Sequence, residues 1–344
     1  MNFFKHSFGR TYQSTFFVLM AFLNIKEPKV IKGEDSSLKI YEILKKENVD
    51  NVLVVVDEGL FKVPFTADII DSLQKNGIKV SVFHDFSANP TIKAVEGGLA
   101  VYKANGCKGI IGLGGGSSMD AAKAIGARVV NPKKSVEKME GLLKVGKKLP
   151  LLIAVPTTAG TGSETTVAAV ITNGETHHKY PINDPKLVPI YAVLDPKLLL
   201  KLPPHITSTT GMDALCHAVE SYTNWTYCTR LEKDLSRKAV KLIYENLYKA
   251  FENGEDIEAR QNMQIAAFYA GRSFTRGGVG YVHTVGHTLG GLYGVAHGLA
   301  MSVILPVVMR QYGPAVYKRL ADLASECGFE GTDKEKSVAF IDWI

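Results

Sequence analysis

One acid and four histidines recur as a spaced series in the second half of the chain. Asp213 and His217 stand in Gly-Met-Asp-Ala-Leu-Cys-His, His283 and His287 in Val-His-Thr-Val-Gly-His, and His297 in Val-Ala-His-Gly. Two of these pairs have i,i+4 spacing, so on a helix each pair projects from one face, a turn apart. A carboxylate with several imidazole nitrogens is a donor set for a divalent transition metal. A lone histidine is ordinarily a packed or surface residue, but five such residues in three ordered motifs are poorly explained that way. The spacing does not choose between His283 and His287 as a ligand. Cys216 lies between Asp213 and His217, but its step along a helix turns it off their shared face, so it reads as packing.

A second chemical signal lies about a hundred residues earlier. Gly112-Leu113-Gly114-Gly115-Gly116-Ser117-Ser118-Met119-Asp120 separates a predicted strand from a predicted helix. Glycines let backbone amides approach an oxyanion, and a helix N-terminus adds partial positive charge, so pyrophosphate is the natural guest. Ser117 and Asp120 also read as a capping box. The turn lacks the Gly-x-Gly-x-x-Gly pattern and follows a later strand than the simple dinucleotide fingerprint requires. Asp57 ends an early strand, where a carboxylate can accept hydrogen bonds from a ribose diol and repel a 2′-phosphate, favouring NAD. The hydroxyl-rich run from Pro156 to Thr166 also follows a strand and can line a ligand wall.

These residues need elements to hold them. Strands are predicted at Val52–Val56, Val80–Phe83, Gly109–Leu113 and Leu151–Val155. Helices are predicted at Thr66–Asn76, Thr91–Asn105 and Ser118 to about Ala127. This alternation argues for a mostly parallel sheet covered by helices. Beyond Pro203-Pro204 only helical periodicity remains, as in Leu235, Ala239, Leu242, Ile243, Leu247 and Phe251. Residues 1–200 therefore read as an α/β domain that binds a dinucleotide, and residues 201–344 as an all-α domain that binds the metal.

Composition narrows the function classes. A chain of 344 residues exceeds one ordinary core, and 46% hydrophobic with 22% charged residues is globular. The net charge of +6 comes with no dense basic run, which argues against nucleic acid and suits a phosphate-bearing cofactor. Four scattered cysteines suggest a reducing compartment, here the cytoplasm. An apolar run from Phe16 to Ile25, with four nearby basic or histidine side chains and no acid, resembles a short targeting segment. It is too short to span a bilayer, and a buried N-terminal element is the simpler expectation.

The four motifs Gly-Gly-Gly-Ser-x-x-Asp, Pro-Thr-Thr-Ala-Gly-Thr-Gly-Ser-Glu, Gly-Met-Asp-Ala-Leu-x-His-Ala and His-x-x-x-His-x-Leu-Gly-Gly-x-Tyr-x-x-x-His-Gly occur in that order. Together they resemble the iron-containing, or group III, alcohol dehydrogenases from about residue 30 to 310. The resemblance implies a dehydroquinate synthase-like architecture with the active site between the two domains. It implies Asp213, His217, His283 and His297 as ligands of Fe2+, with Zn2+ as an alternative, and His287 beside the substrate as the proton relay. It places NAD on Gly115, Gly116, Ser117 and Asp120, along Thr157, Thr158 and Thr161, with Lys179 at the nicotinamide-side ribose and Asn89 at the adenosine end. Asp57 matches the position that favours NAD. The implied reaction is hydride transfer between NAD(H) and a small alcohol or aldehyde, in a homo-oligomer (a dimer) with neither nucleic acid nor membrane as partner. A metal- and NAD-dependent sugar-phosphate lyase and an inactive homologue are the competing readings. The lyase would need a basic cluster, for which Arg272 and Arg276 are the nearest candidates. Family members continue past Ile344, and the apolar ending Phe340-Ile341-Asp342-Trp343-Ile344 reads as a shortened C-terminus.

Overall fold

The computed structural model describes residues 25–224 and 228–344. The N-terminal apolar run, up to residue 24, lies outside the described residues. The strands are β1 (Lys29–Lys32), β2 (Asn51–Val55), β3 (Lys79–Phe83), β4 (Gly109–Gly114), β5 (Gly141–Leu142), β6 (Leu151–Pro156), β7 (Ala168–Thr172), β8 (Lys179–Asn183) and β9 (Tyr191–Leu194). The helices among them are α1 (Ile40–Lys46), α2 (Glu58–Phe61), α3 (Pro64–Lys75), α4 (Ile92–Ala104) and α5 (Gly116–Val130).

Six strands form one parallel sheet in the order β1-β9-β6-β4-β2-β3. Every residue of β4 and β6 is buried. Central parallel strands are covered on both faces, which is why they read as continuous apolar runs. Alternate residues feed two cores: Val52 and Val54 face one, Leu53 and Val55 the other. The chain leaves β2 toward β3, then returns to lay β4 on the other side of β2. The strand order therefore reverses between β2 and β4, and the crevice at the carboxyl ends of such a pair is where open α/β sheets take ligands.

Two local readings are corrected. β4 runs through Gly114 and α5 begins at Gly116, so the connecting turn is a single residue, Gly115. Ser117 consequently sits in the first helical turn, and no side chain caps α5, so the capping box does not form. The simple strand–helix alternation also breaks, because β7 and β8 form an antiparallel hairpin that joins β5 in a separate three-stranded sheet. Lys179 and Pro181 within β8 obscured its strand signal.

After Pro204 the described elements are α6 (Pro204–Thr223), α7 (Arg230–Glu252), α8 (Ile257–Gly277), α9 (Tyr281–Tyr293), α10 (His297–Tyr312), α11 (Tyr317–Glu326) and α12 (Asp333–Trp343), with one short 3-10 turn. Their core is continuous with one sheet face, joining Ile111 and Ile153 to Ala214, Leu215, Val240 and Met263. At the apolar end of the chain Phe340 and Ile341 are buried, and Phe340 stacks on Trp343 with centroids 5.6 Å apart.

Two glycines set how closely α6 is approached. A Cβ on Gly160, in the loop after β6, would stand 2.6 Å from the Thr210 carbonyl oxygen, and one on Gly298 would collide with that of Thr209. Gly298→Ala is expected to lower stability by about 1–3 kcal/mol through overpacking. Gly291→Ala, whose Cβ position on α9 has nothing within 4 Å, should be neutral or stabilising by up to ~1 kcal/mol. Chemical denaturation of both variants checks this, and equal effects would mean that the α6–α10 approach is not tight.

Candidate metal centre and cofactor cleft

Helix α6 begins at Pro204, whose fixed φ and missing N–H suit the first helical turn. Asp213 and His217 project from its buried side. Glycine at the N-cap starts α9, which carries His283 inward. His297 is the first residue of α10. Asp213, His217 and His283 are at most 5% exposed. The His217 ring is sandwiched, with Phe274 stacked at 4.1 Å and His283 at 4.6 Å between centroids.

Asp213 Oδ1 is the hub. The Nε2 atoms of His297, His283 and His217 lie 3.3, 3.8 and 4.0 Å from it. Donor atoms at bond lengths of about 2.1 Å around one ion stand roughly 3–4 Å apart, so this spacing is that of a common coordination sphere. Asp213 Oδ1 and His283 Nε2 are also buried without a hydrogen-bond partner. Two such orphans side by side would cost about 1–3 kcal/mol each unless something else satisfies them. The donor set thus fits a divalent metal.

Electrostatics agree with the geometry. Burial would raise the Asp213 carboxyl, but His217, His297 and His283 outweigh it and hold it well below the carboxylate range. Burial pushes His217 down to about 3, which leaves its imidazole neutral. His287 is solvent-accessible one turn beyond His283, with its ring 5.0 Å from that of His297 and 5.8 Å from that of His283. Partial desolvation and the neighbouring His297 and His283 bring it down to about 4.

The cofactor candidates meet at the β2/β4 crevice. Asp57 Oδ1 accepts from the Gly59 and Leu60 amides, capping α2, and Oδ2 accepts from Ser118 Oγ at 3.2 Å. The Asn89 amide donates to Ser117 Oγ at 3.2 Å, and Lys179 Nζ donates to Asn89 Oδ1 at 2.8 Å. The Thr157 amide donates to the Gly114 carbonyl at 3.1 Å. A Cβ on Gly116 would sit 3.0 Å from Thr161, and one on Gly115 would sit 3.5 Å from Thr158 Oγ1. That hydroxyl is buried with no partner, and the adjoining end of α5 has no side-chain cap. An orphaned hydroxyl beside an uncapped helix N-terminus fits a bound pyrophosphate. Asp120 faces the other way: Oδ1 accepts from Ser163 Oγ at 2.7 Å and Oδ2 from the Val170 amide at 2.9 Å.

Sequence reasoning passed over two groups here, Lys123 and Glu220. Lys123 Nζ, fully buried, donates to Ser163 Oγ, Thr166 Oγ1 and the Ala168 carbonyl at 2.8–2.9 Å, and so ties α5 to the hydroxyl-rich loop. Glu220 stands against His283 Nδ1 at 2.5 Å. Its signal was available, since it follows Asp213 by seven residues and His217 by three on the same helical face. Cys216 is buried with its Sγ toward the Met301 carbonyl, off the cluster. Asp213→Ala and His297→Ala should each lose bound divalent metal on dialysis, measured by elemental analysis. Stoichiometric metal in both would overturn the ligand set.

Comparison with known proteins bears on both halves of the chain. The sequence profile of iron-containing alcohol dehydrogenases matches residues 27–196, and that of the Fe-containing alcohol dehydrogenase family C-terminal region matches residues 207–344. A choline dehydrogenase of Bacillus subtilis is 34% identical over 332 residues, 95% of this chain and 82% of its own length. An NAD-dependent methanol dehydrogenase of Bacillus methanolicus is 37% identical over 88% of this chain and 78% of its own. Among solved structures, a 1,3-propanediol oxidoreductase superposes with a TM-score of 0.89 at 34% identity, covering 93% of this chain and 85% of that one. A sulfoacetaldehyde reductase from Bifidobacterium kashiwanohense, in complex with NAD+, superposes with a TM-score of 0.83 at 30% identity, covering 93% and 84%.

Proposed function

Because this chain belongs to the iron-containing alcohol dehydrogenase family, we propose that Asp213, His217, His283 and His297 are its iron ligands and that the β2/β4 crevice is its NAD site. The enzyme is an NAD-dependent oxidoreductase that moves a hydride between NAD(H) and an alcohol/aldehyde pair. The observation that carries the site assignment is the convergence of ligand atoms from Asp213, His283 and His297 within 4.8 Å of one another, with His217 stacked behind them.

Divalent iron in that cluster supplies a Lewis acid for the substrate oxygen, and NAD supplies the hydride acceptor or donor. The residues of the chain do the rest. Asp213 supplies fixed negative charge, and the neutral imidazoles supply lone pairs without adding charge. Phe274 covers one face of His217 and keeps water from it. Gly115, Gly116 and Ser117 present the start of α5 to the pyrophosphate, between Thr158 and Thr161. Lys179 and Asn89, expected at the nicotinamide-side ribose and at the adenosine end, are hydrogen-bonded to each other at 2.8 Å, so they act together on one ribose rather than at opposite ends of the cofactor. Thr157 supports the turn from behind through its amide, and Asp120 acts by fixing the hydroxyl-rich loop. His287, at the solvent side of the cluster, takes the substrate's hydroxyl proton outward in oxidation and returns it in reduction.

A sugar-phosphate lyase would need free cations for the phosphate. Arg272 Nε is held by Glu27 Oε1 at 2.8 Å, and Arg276 lies 3.7 Å from Glu232, so both candidates face carboxylates. The division of the chain at Pro203-Pro204, cytoplasmic residence and a homodimer also belong to this proposal. They are supported by the end of the last strand at Leu194, by the unpaired thiols, and by the exposed apolar residues Leu142, Leu143 and Val279. Among the described residues no helix is long and apolar enough to cross a membrane.

Iron-loaded protein is expected to produce NADH steadily with short alcohols or diols under anaerobic conditions. Absence of NADH across such a panel would favour the inactive reading. His287→Asn should keep stoichiometric metal while kcat falls by about 10²–10⁴-fold; unchanged kcat removes His287 from proton transfer. Asp57→Ser keeps an N-cap oxygen for α2 but removes the charge. It should shift the NAD/NADP ratio of kcat/KM toward NADP by about tenfold, equivalent to ~1.4 kcal/mol. An unchanged ratio removes Asp57 from cofactor selection.

A further inference from the structure

We propose that Glu220 is the positioning residue of the metal centre: it fixes the His283 tautomer and registers α9 against α6, so that His283 Nε2 faces the cluster with a bare lone pair. The proposal rests on the ligand reading above.

Glu220 is 3% exposed, and both carboxylate oxygens are engaged on α9. Oε1 accepts from the Val282 amide at 2.7 Å, and Oε2 meets His283 Nδ1 at 2.5 Å. An ionised carboxylate offers acceptors only, so the proton between Oε2 and Nδ1 belongs to the histidine. Neutral imidazole carries one N–H, and placing it on Nδ1 leaves Nε2 as a lone pair. That Nε2 is the atom buried without a hydrogen-bond partner, 3.8 Å from Asp213 Oδ1. A carboxylate behind a ligating histidine also raises the basicity of the ligating nitrogen.

The second oxygen does a different job. The Val282 amide lies in the first turn of α9, whose own N-cap is Gly280 with no side-chain cap. Glu220 caps α9 from the neighbouring helix, and its negative charge lies at the favourable end of the helix dipole. A Cβ on Gly280 would come within 2.9 Å of Oε1, so the close approach of the two helices is built into that glycine. Through this one side chain, α6, which carries Asp213 and His217, sets both the height and the ring orientation of His283.

Glu220→Gln separates the two jobs. Glutamine has one carbonyl oxygen. If that oxygen stays on the Val282 amide, its NH2 must face Nδ1, which then accepts and forces the proton onto Nε2. If it turns to Nδ1, the NH2 collides with the Val282 amide as donor against donor. The expected result is a 10–100-fold weaker affinity for Co2+, used anaerobically as a spectroscopic probe in competition with a chelator. NADH affinity, read by its fluorescence, should be unchanged. Co2+ affinity within twofold of the unaltered protein would overturn the proposal. A measurement on the unaltered, metal-free protein covers the case in which the variant does not fold. Ring-nitrogen NMR with labelled histidine should show His283 protonated at Nδ1, and protonation at Nε2 would overturn the proposal equally. Retention of metal by Asp213→Ala would instead sink the ligand reading itself, whereas metal loss there with full Co2+ affinity in Glu220→Gln would sink only the role of Glu220.

Discussion

Asp213 is the constraint around which the helical half is built. A carboxylate removed from water costs several kcal/mol unless charge and hydrogen bonds replace its hydration. Here the divalent ion that the four side chains would share supplies the replacing charge, and three imidazoles on three different stretches of chain stand 3.3–4.0 Å from Asp213. None can be supplied by local sequence except His217, one turn along the same helix. Each residue of slippage in α6 would rotate Asp213 by about 100° and carry it off the cluster. The polar side of α6 therefore dictates where α9 and α10 begin, and the apolar remainder of these helices is packed to keep them there.

Helix α6 also sets the relation between the metal centre and the cofactor cleft. The hydroxyl-rich loop approaches it where Gly160 meets Thr210, and α10 approaches it where Gly298 meets Thr209. Thr209 and Thr210 stand about one turn before Asp213. The far end of that loop is tied by Lys123 to α5, whose N-terminus faces the cofactor crevice. A hydride donor and the oxygen it serves must be held to a fraction of an ångström, and packed helices do this better than mobile loops. Here the linkage is close backbone contact at one end and a buried ammonium with three acceptors at the other.

The parts legible in sequence are those whose signals are local. Glycines at a strand–helix junction, the i,i+4 pairs on α6 and α9, and the continuous apolar runs of β4 and β6 announce themselves within a few residues. The single-residue turn at Gly115 was not legible, because the strand and the helix both claim the glycines. The β7–β8 hairpin was hidden by the exposed Lys179 and Pro181 of β8. Glu220 was missed for another reason: its spacing from Asp213 and His217 marks the ligand face of α6, but its partners, the Val282 amide and His283 Nδ1, lie more than sixty residues away. Long-range pairing of this kind has no local signature. The roles separating His283 from His287 likewise depend on which ring α9 turns inward, which spacing alone leaves open.

Counting Glu220 changes the charge balance of the site. Asp213 by itself leaves a divalent ion among neutral imidazoles with one positive charge in excess. Glu220, hydrogen-bonded to a ligating ring, adds a second negative charge at 2% side-chain exposure. The pair would balance the charge of the ion on the buried side of the cluster, where a lone cation is costly. Overall neutrality leaves the field of the ion at the substrate oxygen, where it would act as the Lewis acid. Further positive charge lies outside the ligand set. His287 is lowered mainly by desolvation and by His297 and His283, with a smaller part from Lys179, whose positive charge reaches the same space from the cofactor side. In the proposed site, Lys179 would favour loss of the substrate's proton through its field and His287 would offer that proton a route to solvent, and neither has to be a ligand to do so.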